Sequence, residues 1–386
     1  MRMAWATEGH PVGKKRRFAI VGAGNIARAH VSACSAIEDI ELFAACDTDA
    51  QRAQAFAESW NMPAHFGSVA ELLKARPDIV AICTPHPSHP ALIRQVAEAG
   101  IDCMVEKPLS VDLGSARDAV EAVHKAGTRL GVIFQRRYWP AAQRLKAAID
   151  EGRLGRIVQA ECTVHYSRTP VYFSKERSPW RGTWEGEGGG VTVNQASHAI
   201  DLLQWLVGSF STLYAQWDNA AHPTVEVDTM VAATATLAKG GLATISFGLN
   251  PRQTDKGFFE IVVYGDNGAW ASLREEPEGA YGLNTQWEIP GEEAQIAALT
   301  EKERMQDHRM YRIVDQGRRP PELNPECYRA QYMEFLAYLD GEPGYALTGD
   351  EGLKSVEIIE AIYRSAREKR PVAWPIERGE LGRSGE

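Results

Sequence analysis

The chain has 386 residues, more than one compact core usually contains, so we expect two domains. Hydrophobic residues make up 44% and charged residues 24% of the chain, which is typical of a folded globular protein and argues against a fibrous or disordered one. The formal net charge of −9 at pH 7 argues against a nucleic-acid partner, because phosphate binding needs concentrated positive charge.

The ends of the chain and its cysteines indicate where the protein acts. The first ten residues lack the apolar stretch of a secretory signal, and no apolar run approaches the ~20 residues that cross a bilayer, so we expect a cytoplasmic protein with no membrane partner. The six cysteines have no CxxC spacing, which predicts neither disulfides nor a metal site. Residues 1–17, including the basic run 14–17, and residues 378–386 are interpreted as flexible termini.

Residues 18–138 alternate short apolar runs with alanine-rich helical segments. This alternation predicts an α/β domain with a doubly wound parallel sheet, the Rossmann architecture. The predicted strands are 18–21, 41–46, 79–83, 102–106 and 130–134, and the predicted helices are about 25–37, 49–60, 88–99 and 112–126.

The pattern changes after residue 138. Longer runs in which apolar and polar residues alternate are typical of an antiparallel sheet with one covered face, so we expect an α+β domain over residues 139–349 with a large, open, mostly antiparallel sheet. Its strands are predicted at 157–167, 229–237, 242–249 and 258–265, and its helices at about 140–151, 194–207 and 325–339. A last helix is predicted at 350–368.

A glycine-rich turn follows the first predicted strand. Gly22 permits the tight turn, and Gly24 lets the backbone approach a pyrophosphate. The helix that follows, with Asn25 and Ile26 in its first turn, directs its N-terminus at the phosphates. In this context of strand, turn and helix, the motif predicts a dinucleotide cofactor.

Asp47 ends the second predicted strand, 25 positions after Gly22. A carboxylate at this place accepts hydrogen bonds from ribose hydroxyls and repels a 2′-phosphate, so NAD is the predicted cofactor. Arg52 lies close enough in sequence to keep NADP as the less favoured alternative.

The later parallel strands end in polar residues at the edge where doubly wound sheets bind ligands. After the third predicted strand these candidate cofactor contacts are Thr84, Pro85, His86 and His89. For the two histidines, a position on the surface is an equal alternative. Glu106, Lys107 and Pro108 end the next strand at the same edge.

These motifs, with the segment GGGVTVNQASHAIDLLQWLVG at 188–208, resemble the Gfo/Idh/MocA family from residue 18 to about 375. The resemblance implies a Rossmann domain, a second domain whose open sheet forms a homodimer or homotetramer, and terminal helices, about 350–370, that return to the first domain. It implies substrates such as sugars, cyclitols and nucleotide-linked sugars. It also adds Glu106, Lys107 and Gln135, the first residue of the QRRY segment, to the candidate cofactor contacts.

Lys107 matches the family's catalytic lysine. An ammonium group near a reacting hydroxyl stabilises alkoxide charge, and burial lowers its pKa toward the range useful for proton transfer. The family resemblance also suggests a cis peptide bond before Pro108. The alternative interpretation of Lys107 is a solvated lysine at the end of a strand.

Asn194, His198 and Asp201 follow the spacing i, i+4 and i+7, which predicts one helix face directed at a cleft. His198 is the predicted proton acceptor, assisted by Lys107, because imidazole titrates near neutral pH; a structural histidine is the alternative. Many family members have aspartate in place of Asn194. An asparagine orients the histidine or contacts substrate but adds no charge, so a cyclitol substrate is less favoured.

Aromatic and basic side chains before the histidine helix are candidates for the substrate site. Tryptophan packs on the C–H faces of sugars, and arginine pairs with carboxylate or phosphate. The candidates are Trp180, Arg181, Trp184 and Tyr166, with Tyr172 less favoured; anchoring of the loop by aromatic burial is the alternative.

The favoured hypothesis is NAD-dependent oxidation or reduction of a secondary hydroxyl of a sugar, glycoside or sugar derivative. One alternative is cleavage of glycosides through transient oxidation at sugar C3, which regenerates NAD in place. Another is a dinucleotide-sensing regulator, although such a regulator has no chemical need for both Lys107 and His198.

Overall fold

The computed structural model of the protein describes residues 15–176, 178–252, 257–275, 282–311 and 325–376. The predicted flexible segment 378–386 and residues 1–14 of the predicted leader lie outside these ranges. Arg16 and Arg17 belong to the first strand, so the prediction of a flexible terminus through residue 17 is wrong at its end. The Arg17 guanidinium lies 3.6 Å from the centroid of the Phe43 ring, which holds it on the domain.

The first domain contains a parallel sheet, as predicted. Its strands are β1 (Arg16–Val21), β2 (Ile40–Cys46), β3 (Ala64–Phe66), β4 (Ile79–Ile82), β5 (Asp102–Val105) and β6 (Leu130–Val132). Within the described residues the six strands follow the order β3-β2-β1-β4-β5-β6, the doubly wound arrangement of the Rossmann fold. The short β3 is missing from the prediction.

Helices cover both faces of this sheet. They are α1 (Asn25–Ser35), α2 (Ala50–Ser59), α3 (Val69–Lys74), α4 (His89–Glu98) and α5 (Leu113–Ala126). Side chains start several of them: Asp49 accepts from the first turn of α2, Ser68 from that of α3 and Asp112 from that of α5. Apart from β3, the strands between them are largely buried on both faces, which explains their continuous apolar runs.

The second domain is built on a mixed sheet. Its strands are β7 (Ile157–Ser167), β8 (Phe210–Asp218), β9 (Met230–Leu237), β10 (Leu242–Asn250), β11 (Phe258–Gly265), β12 (Trp270–Glu275), β13 (Gly282–Leu283), β14 (Trp287–Glu288) and β15 (Val372–Ala373). In the described part of the chain the order is β13-β12-β11-β7-β10-β9-β8-β15, with β14 also paired to β12. Strands β7 and β10 pair in parallel and the other pairs are antiparallel, as the mostly antiparallel prediction expects.

One face of this sheet is covered and the other is open. Burial alternates along β9 and along β10 as far as Phe247, which confirms the predicted half-covered sheet. The helices of this part of the chain are α6 (Pro140–Asp150), α7 (Trp184–Glu187), α8 (Ser197–Val207), α9 (Glu293–Tyr311), α10 (Pro325–Leu339) and α11 (Gly349–Glu368). Helix α8 packs on the covered face against β7 and β11.

The two last helices contact the first domain, and α11 also contacts the second. Helix α10 packs on α1, while α11 packs on α5 and on strand β8. The Gln331 side chain of α10 donates to Val132 O at 2.7 Å and accepts from Phe134 N at 3.2 Å, so it closes the end of β6. Across the described ranges, no helix combines the length and the apolar character needed to pass through a bilayer.

Candidate active site

The glycine turn after β1 has the shape that a dinucleotide requires. Gly22 has φ = +93°, and a Cβ atom there would lie 2.7 Å from Cys83 O, so this position requires glycine. A Cβ atom on Gly24 would meet nothing within 4 Å, and no side chain caps the N-terminus of α1. The first turn of α1, which contains Asn25 and Ile26, carries no acidic residue. The turn therefore fits a pyrophosphate held on backbone N–H groups.

Asp47 ties the end of β2 to this turn. Its Oδ2 accepts from Ala23 N at 2.9 Å, and its Oδ1 accepts from Asp49 N at 2.9 Å. The Arg52 guanidinium lies 3.5 Å from Asp47 Oδ1 and 3.3 Å from Asp49 Oδ2. Because both carboxylates hold Arg52, the arrangement favours ribose hydroxyls over a 2′-phosphate and fits NAD.

The two histidines after β4 are buried, so the alternative that placed them on the surface is wrong. His86 Nδ1 lies 3.3 Å from Glu187 O. His89 Nδ1 lies 2.8 Å from Pro108 O, and His89 Nε2 lies 2.9 Å from Thr84 O. Both ring nitrogens of His89 are thus used inside the protein, which leaves neither of them free for its predicted contact with the cofactor. His89 instead connects the loop that begins at Thr84 to the end of β5.

The carboxylate of Glu106 turns into the interior. Glu106 Oε1 lies 3.0 Å from His30 Nε2 and accepts from the Tyr328 hydroxyl at 3.1 Å. Glu106 Oε2 accepts from Lys107 N at 3.1 Å, and Gln135 Nε2 donates to the Tyr328 hydroxyl at 3.1 Å. Burial favours a higher pKa, but His30 and Lys107 outweigh it and lower the pKa of Glu106. Glu106 is therefore a charged neighbour of Lys107, and we no longer expect its side chain to contact the cofactor.

Lys107 reaches across the domain boundary. Its Nζ donates to Asn194 O at 2.7 Å, and the peptide bond to Pro108 is cis, as the family resemblance implies. Burial lowers the pKa of Lys107 to about 8, an effect that the charge of Glu106 opposes and that of Arg136 strengthens. The alternative of a solvated strand-end lysine is therefore wrong.

His198 lies on α8 with a ring that the protein leaves partly unpaired. The side chain is buried, and its ring lies edge-on to that of Phe134 with the ring centroids 6.1 Å apart. Its Nδ1 has no hydrogen-bond partner among the described residues. Burial, together with the positive charges of Arg136 and Lys107, lowers the pKa of His198 well below its usual value. At neutral pH the imidazole is therefore uncharged.

Asn194 contacts a carboxylate that sequence analysis missed. Its Nδ2 donates to Glu187 Oε1 at 2.5 Å and to the Tyr172 hydroxyl at 3.2 Å, and within the described ranges its side chain makes no hydrogen bond to His198. Glu187 is 1% exposed, and its Oε2 accepts from Gly182 N at 2.8 Å. The asparagine is thus held by Glu187, and it presents its backbone carbonyl to the lysine.

The predicted shared face of Asn194, His198 and Asp201 is wrong. Helix α8 begins only at Ser197, so Asn194 lies in the preceding turn. Asp201 is 1% exposed, and its two carboxylate oxygens accept from Arg137 Nε at 2.8 Å and Arg137 Nη2 at 2.5 Å. Because this carboxylate pairs α8 with Arg137, the structure disfavours its predicted contact with substrate.

The aromatic loop divides into a part near Lys107 and a part that packs elsewhere. The Arg181 guanidinium lies 4.5 Å from the Trp180 ring centroid and 4.0 Å from that of Tyr172, and Trp180 meets His86 edge-on. These contacts place Trp180 and Arg181 beside the loop that follows β4. They remain candidates for the substrate site.

Trp184 and Tyr166 have partners within the protein, which disfavours their predicted contact with substrate. Trp184 packs between Trp217 and Tyr363, with ring centroids 5.6 Å and 5.3 Å away. Tyr166 is 2% exposed, and its hydroxyl donates to Glu275. For both residues the aromatic-burial alternative is the better description.

Long-range partners of the site were missed. Glu187 is difficult to select from the sequence, because an acidic residue in a glycine-rich loop is usually interpreted as solvated. No sequence motif indicates His30 or Tyr328, because their contacts with Glu106 span 76 and 222 positions of sequence.

Family models match both domains. The description "oxidoreductase family, NAD-binding Rossmann fold" matches residues 16–134, and "oxidoreductase family, C-terminal alpha/beta domain" matches residues 146–374. Both models belong to the Gfo/Idh/MocA group that the sequence motifs resemble.

Individual relatives agree along most of the chain. Inositol 2-dehydrogenase of Rhizobium meliloti is 27% identical over 92% of this chain and 98% of its own length, and D-glucoside 3-dehydrogenase of Escherichia coli is 26% identical over 91% and 95%. The solved structure of the WlbA dehydrogenase from Bordetella pertussis, in complex with NADH and UDP-GlcNAcA, superposes with a TM-score of 0.82, at 27% identity, over 94% of this chain and 99% of that one. The chain therefore belongs to the Gfo/Idh/MocA family and is an NAD-dependent oxidoreductase.

Proposed function

We propose that the protein oxidises or reduces a secondary hydroxyl of a sugar, glycoside or sugar derivative, with Lys107 and His198 at the reacting centre. The observation that carries the proposal is the bond of Lys107 Nζ to Asn194 O at 2.7 Å, which joins the cofactor domain to the turn before His198. The relatives named as dehydrogenases of inositol and of glucosides support the substrate class.

When bound, NAD supplies the acceptor for the hydride. The residues of the chain handle the proton of the hydroxyl. With a pKa of about 8, the Lys107 amine is available in both protonation states near neutral pH. We propose that Lys107 Nζ takes the proton during oxidation and returns it during reduction, while the uncharged His198 ring hydrogen-bonds the same hydroxyl.

In this assignment the proton acceptor is Lys107, whereas the sequence analysis predicted His198. A histidine gains basicity from a neighbouring carboxylate, but within the described residues no carboxylate pairs with His198. Asn194 adds no charge and is held by Glu187. The low pKa of His198 makes it a weak base, whereas the pKa of Lys107 lies close to the pH at which the enzyme is expected to work.

The two reaction directions are expected to have opposite pH dependence. Oxidation needs the neutral amine of Lys107, so kcat/KM rises about tenfold per pH unit below pH 8 and levels off above it. Reduction needs the ammonium form, so its kcat/KM is level below pH 8 and falls above it. Initial rates in both directions between pH 6 and about 10 measure this, and two profiles of the same shape contradict the assignment.

A substrate panel tests the function directly. NADH formation is measured with neutral hexoses, methyl glycosides, cyclitols, uronates and nucleotide-linked sugars, and the product is checked for a new carbonyl group. We expect NADH and a keto product with at least one class. Binding of NAD without turnover of any class contradicts the proposal, and release of the aglycone without net NADH indicates glycoside cleavage instead.

We propose further that the protein is a cytoplasmic homodimer or homotetramer whose copies pair through the open face of the second sheet. Leu242 is 63% exposed and Met230 is 37% exposed on this face, so a second copy packed on it would bury both side chains. Its six cysteines are buried free thiols, which suits a reducing compartment.

A charge on the open face is expected to separate the copies. Thr244 lies in the middle of β10 on that face, so Thr244→Arg is expected to reduce the mass measured by light scattering to that of a monomer. Gln51→Arg on the exposed surface of α2 is the matched control and leaves the mass unchanged. A monomeric wild type, or a Thr244→Arg variant of unchanged mass, contradicts this interface.

A further inference from the structure

Arg181 is a half-buried cation with no ion-pair partner among the described residues. Its guanidinium stacks on Tyr172 at 4.0 Å and on Trp180 at 4.5 Å. Its Nη1 is buried and has no hydrogen-bond partner in the described part of the chain, where no carboxylate lies within ion-pair distance of it either. Burial lowers the pKa of Arg181. The positive charge of Arg168 lowers it further, whereas the carboxylate of Glu187 raises it. The site thus holds a positive charge that the protein itself leaves without a full partner.

Arg181 lies one layer of side chains away from the reacting centre. The ring on which it stacks belongs to Tyr172, whose hydroxyl accepts from Asn194 Nδ2 at 3.2 Å. The carbonyl of the same asparagine accepts from Lys107 Nζ at 2.7 Å. A sugar whose hydroxyl meets Lys107 can therefore extend a substituent toward Arg181 over the face of Tyr172.

Buried polar atoms without partners are grouped around this path. They include Arg181 Nη1, His198 Nδ1 and the Oε1 of Gln195, whose Nε2 donates to the Tyr172 hydroxyl at 3.0 Å. Buried polar groups are normally paired, so a group of unpaired ones around one path indicates that a ligand supplies their partners.

The charges near this path are predominantly positive. Lys107, Arg136, Arg168 and Arg181 are close enough for charge to couple between neighbours. The carboxylates among them are already used: Glu106 contacts His30 and Tyr328, Glu275 pairs with Arg136 at 3.0 Å, and Glu187 holds Asn194 and Gly182 N. An anionic ligand is therefore favoured over a neutral one.

We propose that Arg181 binds an oxyanion carried by the sugar substrate, either the carboxylate of a sugar acid or the phosphate of a nucleotide-linked sugar. The planar guanidinium donates two parallel hydrogen bonds to either group, and its stacking on Tyr172 holds that plane in place. The inference rests on the proposed function and narrows its substrate class.

Four probes separate the two sources of the oxyanion. D-Glucose carries neither group, D-glucuronate carries the carboxylate, UDP-glucose carries the diphosphate and UDP-glucuronate carries both. Calorimetry on the complex with NADH gives their Kd values, and NADH formation from NAD gives KM values for any probe that is oxidised. The binding measurement needs no turnover. If no probe is oxidised, that result argues against the proposed function, while the Kd values still test the role of Arg181.

We expect at least one anionic probe to bind about tenfold or more tightly than glucose, and Arg181→Gln to weaken that probe at least about tenfold while changing glucose less than twofold. Arg181→Lys keeps the charge but loses the two parallel donors of the guanidinium. Its affinity for the anionic probe is therefore expected to lie between those of wild type and Arg181→Gln. Equal binding of all four probes, including binding of none, overturns the inference. Equal weakening of the neutral and anionic probes by Arg181→Gln also overturns it.

Arg129→Gln is the matched control. Arg129 Nη1 is likewise buried without a partner, and the guanidinium lies 4.4 Å from the Tyr338 ring centroid, but the residue precedes β6 at the opposite edge of the sheet. We expect its probe affinities to equal those of wild type. The melting temperature and NADH affinity of each variant show that it is folded, and Arg181→Lys carries the test if Arg181→Gln does not fold.

Discussion

Replacement of Lys107 by methionine is expected to lower kcat for NAD-linked oxidation about 10³-fold, the scale of losing a positioned acid–base group. Methionine keeps an unbranched apolar stem in the buried site but cannot accept or donate the proton. It also removes the donor to Asn194 O, so the turn before His198 loses one contact with the first domain. The KM for NAD is expected to change little, because the glycine turn and Asp47 are untouched.

Two further variants separate proton transfer from charge. Lys107→Arg retains a cation but does not deprotonate in the accessible pH range, so we expect it to remain as slow as Lys107→Met in oxidation. Lys125→Met, on the exposed side of α5, is the control and keeps the wild-type kcat. Rates are measured on the best substrate of the panel at pH 8. Lys107→Met within tenfold of wild type, or Lys107→Arg with wild-type rate, contradicts the role of the amine.

The parallel sheet was predictable because its strands are buried on both faces and therefore leave continuous apolar runs in the sequence. Strand β3 has three residues, none of them buried, and it left no such run. Strand β8 was missed for a related reason, since its burial alternates incompletely along Phe210–Asp218. Patterns of burial thus explain both the successes and the failures of the fold prediction.

Local motifs predicted the parts of the site that depend on local geometry. Gly22 needs its positive φ wherever the turn occurs, and Lys107 follows the end of a parallel strand. The partners of these residues were not predictable. The contact of Glu106 with Tyr328 and that of Asn194 with Lys107 depend on how the second domain and α10 pack on the first.

Asn194 is the position for which the sequence motif and the three-dimensional contacts lead to the most different interpretations. From the sequence, the absence of aspartate only removes a charge next to His198. In the fold, Glu187 supplies a buried carboxylate to that position, and it bonds to Asn194 instead of to the histidine. A second carboxylate there would face Glu187 at hydrogen-bond distance, which disfavours two ionised groups. Asparagine is therefore the residue that this loop accommodates.

Replacement of Asp201 by asparagine is expected to lower the free energy of unfolding by about 3 kcal/mol, because it leaves a buried guanidinium with too little opposite charge. Burial disfavours the charge of Arg137, but the carboxylates of Asp201 and Glu351 outweigh it and raise the pKa of the guanidinium. Arg137 is 3% exposed and also lies 3.0 Å from Glu351 Oε1 on α11, so the pair connects α8 to the last helix. The variant is expected to lose stability while its kcat and KM at low temperature stay within twofold of wild type.

Denaturant unfolding followed by fluorescence measures the loss, and Asp150→Asn provides the matched control. Asp150 also pairs with a cation, Lys146, but it is 57% exposed, so its loss is expected to cost less than about 1 kcal/mol. The double variant Asp201→Leu with Arg137→Met removes both charges and is expected to recover part of the stability. If Asp201→Asn instead raises the KM for sugar and leaves stability unchanged, the carboxylate contacts substrate and the sequence-based prediction for Asp201 is restored.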